Sequence, residues 1–532
     1  MIRARVMIMS ASAILWAEGR AGGDDGASSA TSASTGESTG ASTSDTTTGE
    51  TTDAETETGE PPGLVCDGFE FDAVDWWLPG VIVLEEVLDD FAHDSSAGCL
   101  NSGEEFSFSL LDLVGDPRPD LVVTDNCDPA GVGTSLWLVH EALGSGFAAR
   151  ATPWTLPNIV ATQEVLDDLG HDSSAGCLNA EELSFTLLDL VGDRRPDLVV
   201  TDNCDPAGVG TSEWQIYEAT SAGFAAQAIS WSLPNLVAAQ EVLDDLSFDS
   251  STGCLNGEEL TFSLLDLVGD RRPDLVVTDN CDVAGVGTSA WQVYEATDTG
   301  FAAEATSWSL PNLVATEEVL DDPYHDSSAG CLNGEELTFT LLDLVGDRRP
   351  DLVVTDYCDA AGVGTSEWRV YEATGAGFAA EATSWTLPNI VATEEVLDDL
   401  FHDSSAGCLN TETLTFSVLD LTGDRVPDLV LTDNCDAAGV GTSEWQVYTG
   451  TAAGFAAQPV SWSLPNIVGL EEVLDDLSHD SSAGCFDSQT LTFSLADLTG
   501  DGASDMVWTD ACDVAGVGTT LWRLFPRRCV PR

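Results

Sequence analysis

The sequence contains no lysine: all 17 of its basic residues are arginines, against 92 aspartates and glutamates. The formal net charge of −75 gives a surface that repels phosphate backbones and anionic lipids. We therefore expect no binding to nucleic acid and no insertion into a membrane. An acidic surface does attract cations, so this composition is compatible with a bound metal ion.

The chain has no hydrophobic run long enough to span a bilayer, which takes about 20 apolar residues. Its N-terminus has Arg3 and Arg5, then an apolar run of about a dozen residues, then small residues near Ala17 and Ala21. A basic start, a short apolar core and small residues in this order predict a secretory signal peptide, which we place at residues 1–21. No cysteine follows the run closely, so a bacterial lipid anchor has no attachment point.

Residues 22–63 contain few large apolar side chains and consist mainly of Gly, Ser, Thr, Ala and acidic residues. A segment of this composition cannot bury a core, so we predict a disordered linker. The folded part is then expected at residues 64–532. A cleaved export signal predicts a secreted protein, extracellular or at the cell surface, with the periplasm as the alternative.

A repeat of 77 residues occupies most of the chain. The motif W(S/T)LPN places tryptophan at 154, 231, 308, 385 and 462, and a second tryptophan recurs from Trp137 to Trp522. The first copy of the motif, WWLPG at 76–80, lies one residue further back. A long and regular period of this kind predicts a propeller or an array of modules.

Each repeat contains four segments typical of strands, separated by turns rich in Gly, Pro, Asn and Asp. In the second repeat they are LSFTLLDL (183–190), DLVVTD (197–202), EWQIYEA (213–219) and FAAQAISWSL (224–233). Four strands without a helical period predict an all-β fold, a six-bladed β-propeller of 77-residue repeats. An open array of six units is the architectural alternative.

The two ends of the repeat region complete one another. The first segment, CDGFEFDAVDWWLP, matches the fourth strand of a repeat, and the last, TTLWRLFPRRC, matches the third strand and ends there. The N-terminal strand therefore supplies the strand that the last repeat lacks, and the ring closes without a free edge. Because Cys66 and Cys529 both fall at the repeat position of Ser221, a Cys66–Cys529 disulfide is predicted to seal the closure.

The other cysteines form one pair per repeat, 27 or 28 residues apart, and the chain has no CxxC pair. Each pair brackets the first two strands, which form a hairpin whose open end brings the two sulfurs together. In an exported chain this arrangement predicts disulfides rather than thiols or zinc ligands. The predicted pairs are Cys99–Cys127, Cys177–Cys204, Cys254–Cys281, Cys331–Cys358, Cys408–Cys435 and Cys485–Cys512.

The loops between the first and second strands have a common acidic pattern: DLVGDRRPD in copies two to four, and DLVGDPRPD, DLTGDRVPD and DLTGDGASD in the others. With the alternating strand and the Gly-Phe turn that follow, they resemble the FG-GAP/VCBS repeat family. These are secreted β-propeller modules, also related to the integrin α-subunit head. The resemblance covers residues 66–529, and the family motif, D-x-N/D-G-D-G-x-x-D-L-V, implies calcium ligation by the aspartates at loop positions one, five and nine.

The resemblance therefore assigns calcium ligands in all six Asp loops. Calcium takes six to eight oxygens, so three carboxylates need help from backbone carbonyls and water. The last loop is the best single candidate, because it alone keeps glycine, Gly502, at position six. The expected ligands are Asp112, Asp116 and Asp120; Asp189, Asp193 and Asp197; Asp266, Asp270 and Asp274; Asp343, Asp347 and Asp351; Asp420, Asp424 and Asp428; and Asp497, Thr499, Asp501 and Asp505.

Arginine offers an alternative to calcium in the first five loops. A guanidinium group beside three carboxylates can bind them through bidentate hydrogen bonds and replace the ion. We therefore expect weak or no calcium binding in those five loops, and calcium is the one cofactor that the sequence suggests. The loop arginines are Arg118, Arg194, Arg195, Arg271, Arg272, Arg348, Arg349 and Arg425.

The loops that connect the strands of a propeller blade alternate between the two faces of the ring. The Asp loops and the turns between third and fourth strands share one face. The NCDPAGVGTS-type loops and the long segments between repeats share the other. Because long loops in compact domains are often functional, we expect a ligand first on this second face.

No single repeat contains a catalytic constellation that the others lack. His171 lies among acidic residues, but the third copy has Phe248 at that position, so the local fold does not need the imidazole. The repeating tryptophans either pack between blades or stack on sugars, and packing is favoured. The sequence predicts a monomeric, non-enzymatic binding or adhesion protein with a protein or glycan ligand. The alternatives are a structural spacer without a ligand and a secreted hydrolase.

Overall fold

The computed structural model describes residues 64–80, 106–125, 131–133, 135–159, 183–202, 209, 212–236, 260–279, 289–313, 337–356, 362–363, 366–390, 414–433, 440, 443–465, 491–510, 516–517 and 520–531. Residues Cys66–Cys529 form one compact unit. Residues 1–65 and 530–532 are assigned to a separate unit, of which only residues 64–65 and 530–531 are described. The predicted signal peptide and linker therefore lie outside the described residues. In the described part every regular element is a strand, and no helix suited to crossing a membrane is found there.

The strands follow the repeat. The described part of the chain begins with β1 (Leu64–Phe69) and β2 (Val74–Trp77). The first repeat contains β3 (Phe106–Leu111), β4 (Asp120–Asp125), β5 (Leu136–His140), β6 (Ala142–Leu143), β7 (Gly146–Phe147) and β8 (Thr152–Thr155). The second contains β9 (Leu183–Leu188), β10 (Asp197–Asp202), β11 (Glu213–Tyr217), β12 (Ala219–Thr220), β13 (Gly223–Phe224) and β14 (Ile229–Ser232). The third contains β15 (Leu260–Leu265), β16 (Asp274–Asp279), β17 (Ala290–Tyr294), β18 (Ala296–Thr297), β19 (Gly300–Phe301) and β20 (Thr306–Ser309).

The later repeats have the same order. The fourth contains β21 (Leu337–Leu342), β22 (Asp351–Asp356), β23 (Glu367–Tyr371), β24 (Ala373–Thr374), β25 (Gly377–Phe378) and β26 (Thr383–Thr386). The fifth contains β27 (Leu414–Leu419), β28 (Asp428–Asp433), β29 (Glu444–Tyr448), β30 (Gly450–Thr451), β31 (Gly454–Phe455) and β32 (Val460–Ser463). The last contains β33 (Leu491–Ala496), β34 (Asp505–Asp510), β35 (Leu521–Phe525) and β36 (Arg527–Pro531).

Each blade is a four-stranded antiparallel sheet. In the second blade β9 pairs with β10, β10 with β11, and β11 with β14, with Trp214 opposite Trp231. The second strand of a blade reads DLVVTD or a close variant and is buried on both faces, as the apolar run in its middle requires. The predicted first three strands are confirmed, and β10 has the predicted bounds. The first and third strands end two residues early, at Leu188 and Tyr217, and Ala219 belongs to β12.

The predicted fourth strand is wrong at its beginning. Phe224, predicted as the first residue of that strand, belongs instead with Gly223 to a short hairpin, β12–β13. Gly223 pairs in parallel with Thr155 of the preceding blade, so each sheet gains two strands from the next repeat. The fourth strand proper begins only at Ile229. Successive blades are therefore hydrogen-bonded to each other at their outer edges.

The ring closes as predicted. β2 pairs with β35 and becomes the fourth strand of the sixth blade, with Trp76 opposite Trp522. β1 supplies the Gly-Phe pairing to the fifth blade, where Gly68 lies opposite Ser463. The predicted Cys66–Cys529 disulfide is present and joins β1 to β36. The other twelve cysteines lie outside the described residues, so their six pairings stay predictions.

The core consists of six apolar clusters, each between two consecutive blades. The two repeating tryptophans of one blade contact the Gly-Phe phenylalanine of the next. Phe224 lies edge-on to Trp137 and Trp154, with ring centroids 5.5 and 5.8 Å apart. The sixth cluster joins the last blade to the first through Trp76, Phe147 and Trp522. Because this cluster again joins two blades through two tryptophans and a phenylalanine, the molecule is a closed six-bladed β-propeller and not an open array.

Removal of the Cys66–Cys529 disulfide is expected to destabilise the ring without changing its topology. We expect the double variant Cys66→Ser, Cys529→Ser to lose about 3 kcal/mol of unfolding free energy, a typical value for a native disulfide, because the crosslink restricts the unfolded chain. Denaturant unfolding of the oxidised wild type and of the variant measures the difference. Equal stability of the two proteins would contradict a stabilising role for the crosslink.

Candidate functional site

The Asp loops adopt a tight turn around the aspartate at position one. In the second repeat the Asp189 carboxylate accepts hydrogen bonds from the backbone N–H groups of Gly192, Asp193 and Arg194, at 2.7–3.0 Å. Arg194, at position six, has a φ of 73°, in the left-handed region that favours glycine. The equivalent Arg271, Arg348 and Arg425 have φ of 70–75°, and Gly502 has 85°. Four loops therefore keep, with arginine, the backbone turn for which the family motif uses glycine.

The aspartate at position nine is fully buried and ties the loop to the hairpin that follows the third strand. Asp197 Oδ2 accepts N–H hydrogen bonds from Leu190 and Val191, and its Oδ1 accepts one from Ala219, 22 residues away. This bond confirms that the Asp loop and the turn after the third strand share one face. Burial raises the pKa of Asp197 to about 7, against opposing backbone hydrogen bonds, and the neighbouring Asp189 and Asp193 raise it further.

The same burial acts in every copy. The pKa of the position-nine aspartate is raised to about 6 in the first loop, at Asp120, and to about 7 in the other five loops. The pKa of the position-one aspartate is also raised by burial in copies two to five, at Asp189, Asp266, Asp343 and Asp420. In each loop, burial thus favours the protonated, neutral form of at least one carboxyl group.

The loop arginines link neighbouring blades. Three of them pair with an aspartate of their own loop, and in each pair the partner is the position-five residue: Arg118 with Asp116, Arg272 with Asp270 and Arg349 with Asp347. The same side chains lie against the position-four glycine of the preceding blade, so that a β-carbon on Gly192 would approach Arg272 Cγ to 3.1 Å. These pairs do not reproduce the predicted bridging of all three carboxylates by one guanidinium group.

The last loop differs from the others at two points. It has no arginine of its own, and Arg527 from β36 lies 3.8 Å from Asp501 through its Nη2. Arg527 also donates to the carbonyl oxygen of Thr422 in the fifth blade. The position-nine residue, Asp505, accepts from Leu498 and Thr499 through Oδ2, while its buried Oδ1 has no hydrogen-bond partner.

The predicted calcium ligands are thus brought together loop by loop, but as hydrogen-bonded turns. In the stretches that the structure describes, no three His, Cys, Asp or Glu side chains are placed to enclose a metal ion. The orphaned carboxylate oxygen makes the last loop the one that fits a cation best. In the other five loops backbone N–H groups already occupy both oxygens of the position-nine aspartate.

The twelve repeating tryptophans are all buried, which confirms that they pack between blades. Sequence reasoning missed a different one, Trp77, which is 54% exposed on β2. Its signal was the doublet WW: consecutive residues of a strand face opposite sides, so a partner of the buried Trp76 had to point away from the core. The second face, with its long segments between repeats, lies largely outside the described residues, as does His171.

No protein-family model matches the chain, and no curated protein matches it. A solved lectin from Agrocybe aegerita, described as recognising non-reducing terminal N-acetylglucosamine, is 16% identical, with 88% of this chain and 94% of the lectin covered and a TM-score of 0.37. The TcdB2-TccC3 structure is 15% identical, with 87% of this chain but only 16% of that chain covered and a TM-score of 0.33. The Dos1 propeller is 8% identical, with 76% and 65% covered and a TM-score of 0.23. These comparisons assign no family, and the FG-GAP/VCBS resemblance rests on the loop and Gly-Phe motifs alone.

Proposed function

We propose that this chain is a non-catalytic binding or adhesion protein that acts outside the cytoplasm and holds one calcium ion in the last Asp loop of its propeller. The observation that supports calcium most is the Asp505 carboxylate, which is fully buried and has one oxygen, Oδ1, without a hydrogen-bond partner. A buried charged oxygen without a partner is costly, and a bound cation removes that cost.

The donor set of the last loop suits a hard cation. Asp497, Asp501 and Asp505 supply carboxylate oxygens, Thr499 supplies a hydroxyl at position three, and calcium prefers oxygen ligands. Asp497 and Asp501 both raise the pKa of Asp505, so the three carboxylates already interact electrostatically. A bound ion would neutralise this charge and stiffen the loop beside the ring closure.

The remaining five loops are proposed to need no ion. The oxygen that corresponds to Asp505 Oδ1 accepts a backbone N–H in each of them, at 3.0–3.1 Å. The donors are Ala142, Ala219, Ala296, Ala373 and Gly450. Hydrogen bonding within the loop therefore takes the place of the cation there.

The rest of the architecture supports binding more than catalysis. Six nearly equal blades distribute the same groups around a ring, whereas an active site needs residues with distinct roles at one place. The Cys66–Cys529 disulfide supports a location in an oxidising compartment outside the cytoplasm. A rigid, crosslinked ring is a suitable platform for surface recognition.

Calorimetric titration of the full oxidised chain with calcium, after treatment with a chelator, tests the metal site. We expect one equivalent with a dissociation constant on the order of 10⁻⁴ M, typical of extracellular modules. Asp505→Asn should remove that equivalent. The matched control, Asp197→Asn in the second blade, should keep it. Asp197 has the same loop position, but both of its carboxylate oxygens already accept backbone N–H groups.

Three results would contradict the proposed calcium site. They are no binding at all, six equivalents in the wild type, or loss of the same heat signal in both variants. Six equivalents would show that the arginine-bearing loops are active, and the loop hydrogen bonds would then have to open for the ion.

A further inference from the structure

One row of paired residues crosses the outer part of the sixth blade, and we call it the seam row. Leu521 on β35 pairs with Trp77 on β2, Trp77 pairs with Gly146 on β7, and Gly146 pairs with Leu143 on β6. Trp77 is 54% exposed and Leu143 is 48% exposed. The row thus has two exposed apolar side chains on either side of a residue without a side chain.

The equivalent rows of the other blades are more polar. Where the sixth blade has Trp77, the others have threonine or serine, and where it has Leu143, the first four have threonine. The rows are Leu136–Thr155–Gly223–Thr220, Glu213–Ser232–Gly300–Thr297, Ala290–Ser309–Gly377–Thr374 and Glu367–Thr386–Gly454–Thr451 in the first four blades, and Glu444–Ser463–Gly68 in the fifth.

Leucine at position 143 costs the hairpin a hydrogen bond. In the second repeat Thr220 Oγ1 donates to the carbonyl oxygen of Gly223 at 2.6 Å, and Thr297, Thr374 and Thr451 do the same in their hairpins. Leu143 cannot donate, and its side chain faces water. Two apolar replacements in one solvent-facing row, where repeats elsewhere keep polar residues, point to a contact made at this place.

The patch is small. Among the residues that the structure describes, only four large apolar side chains are exposed, namely Phe71, Val74, Trp77 and Leu143, and all four lie in the two segments that meet at the sixth blade. A stable protein partner needs about 800 Å² of surface from each side, far more than one indole and one leucine offer. A small ligand fits the size of the seam row better.

The neighbouring row is polar and specific to the same blade. Asp75 pairs with Arg523 across β2 and β35, and Arg523 donates a hydrogen bond to the Asp75 carboxylate. Residues two apart in a strand share a face, so this ion pair lies beside Trp77 on the same side of the sheet. In the second, fourth and fifth blades a serine stands at the position of Asp75, and it donates to the glutamate at the position of Leu521 instead.

We infer that the seam row binds a neutral saccharide. The face of an indole ring carries partial negative charge and packs well against the C–H face of a sugar ring. The Asp75–Arg523 pair beside Trp77 offers both an acceptor and donors to sugar hydroxyls. The net charge of −75 disfavours an anionic ligand and also a second copy of the chain.

This inference rests on the proposed binding function and is tested separately from the calcium site. The full oxidised chain is applied to an array of neutral oligosaccharides of hexoses, pentoses and N-acetylhexosamines, and the best ligand is titrated calorimetrically. We expect Trp77→Ser to weaken binding at least tenfold and Leu143→Thr about threefold. Both changes introduce residues found in other blades, so the variants should fold. Phe71→Ala is the control, because Phe71 is exposed at the seam but lies outside the row.

Each other outcome overturns the inference. If no neutral saccharide is retained, the seam row is not a sugar site, while an intact calcium titration would leave the metal proposal standing. If a saccharide binds equally to wild type and Trp77→Ser, the protein binds sugar elsewhere, and the binding function survives without this site. If Trp77→Ser instead abolishes self-association in sedimentation, the row is a contact between copies of this chain.

Discussion

Gly377→Ala is expected to lower the free energy of unfolding by about 4 kcal/mol, since it adds a close clash to a left-handed backbone position. Gly377 lies in the hairpin that pairs with the preceding blade, opposite Ser309. A β-carbon there would lie 2.4 Å from Ser309 N and 2.5 Å from Ser309 O, and φ is 140°. The clash involves backbone atoms, and Ser309 N is itself held by a 3.1 Å hydrogen bond to Ala376 O. Neither side can move without breaking the link between the blades.

Gly375→Ala is the matched control in the same hairpin. A β-carbon at Gly375 meets no atom within 4 Å, so we expect a change within about 0.5 kcal/mol, as for an ordinary surface substitution. Denaturant unfolding followed by the fluorescence of the buried tryptophans measures both variants. Equal stability of the two variants would contradict the pairing of each hairpin with the preceding blade.

The number of blades and the closure of the ring could be predicted because they depend on the spacing of the repeats and not on individual side-chain contacts. A constant step between tryptophans fixes the number of repeats, and the end segments show which strand each end supplies. The Gly-Phe hairpin could not be predicted in the same way. Its residues continue the alternation of the fourth strand, and only the position of the neighbouring blade shows that Gly223 pairs with Thr155 instead. The alternation of residues within one segment does not show whether that segment hydrogen-bonds to the neighbouring blade.

The candidate sites were predictable to different degrees. The aspartates of the loops are visible as a motif, but their hydrogen-bond partners are backbone N–H groups, which a sequence does not reveal. The position of Arg527 beside Asp501 depends on the closure of the ring, because Arg527 follows the last loop by two strands, β34 and β35. The WW doublet was enough to point to Trp77, and a comparison of that repeat position across the blades shows it as the one aromatic among serines and threonines.

The stability of the wild type, measured in chelator, is expected to fall as the pH rises through about 7, and Asp505→Asn is expected to lack part of that fall. Burial raises the pKa of Asp505 from 3.8 to about 7 in the folded state, so the folded protein holds a proton that the unfolded chain releases. The contribution of such a group is fully present below the unfolded value and is lost as the pH rises through the folded value. Oδ1 is free to take the proton, while Oδ2 keeps its two N–H donors.

An asparagine at position 505 resembles the protonated acid and cannot ionise. The free-energy difference between variant and wild type should therefore be small near pH 4 and grow in favour of the variant to as much as about 4 kcal/mol at pH 8, at about 1.4 kcal/mol per unit of pKa shift. Denaturant unfolding of both proteins across this range measures it, with Asp197→Asn as the comparison. In the Asp197 loop both carboxylate oxygens accept N–H groups, so the amide of asparagine has to face a donor there and should destabilise at every pH. A difference for Asp505→Asn that does not change with pH would show that Asp505 is ionised throughout. Calcium at pH 8 should stabilise the wild type and not the Asp505→Asn variant, because the ion and the proton neutralise the same carboxylate.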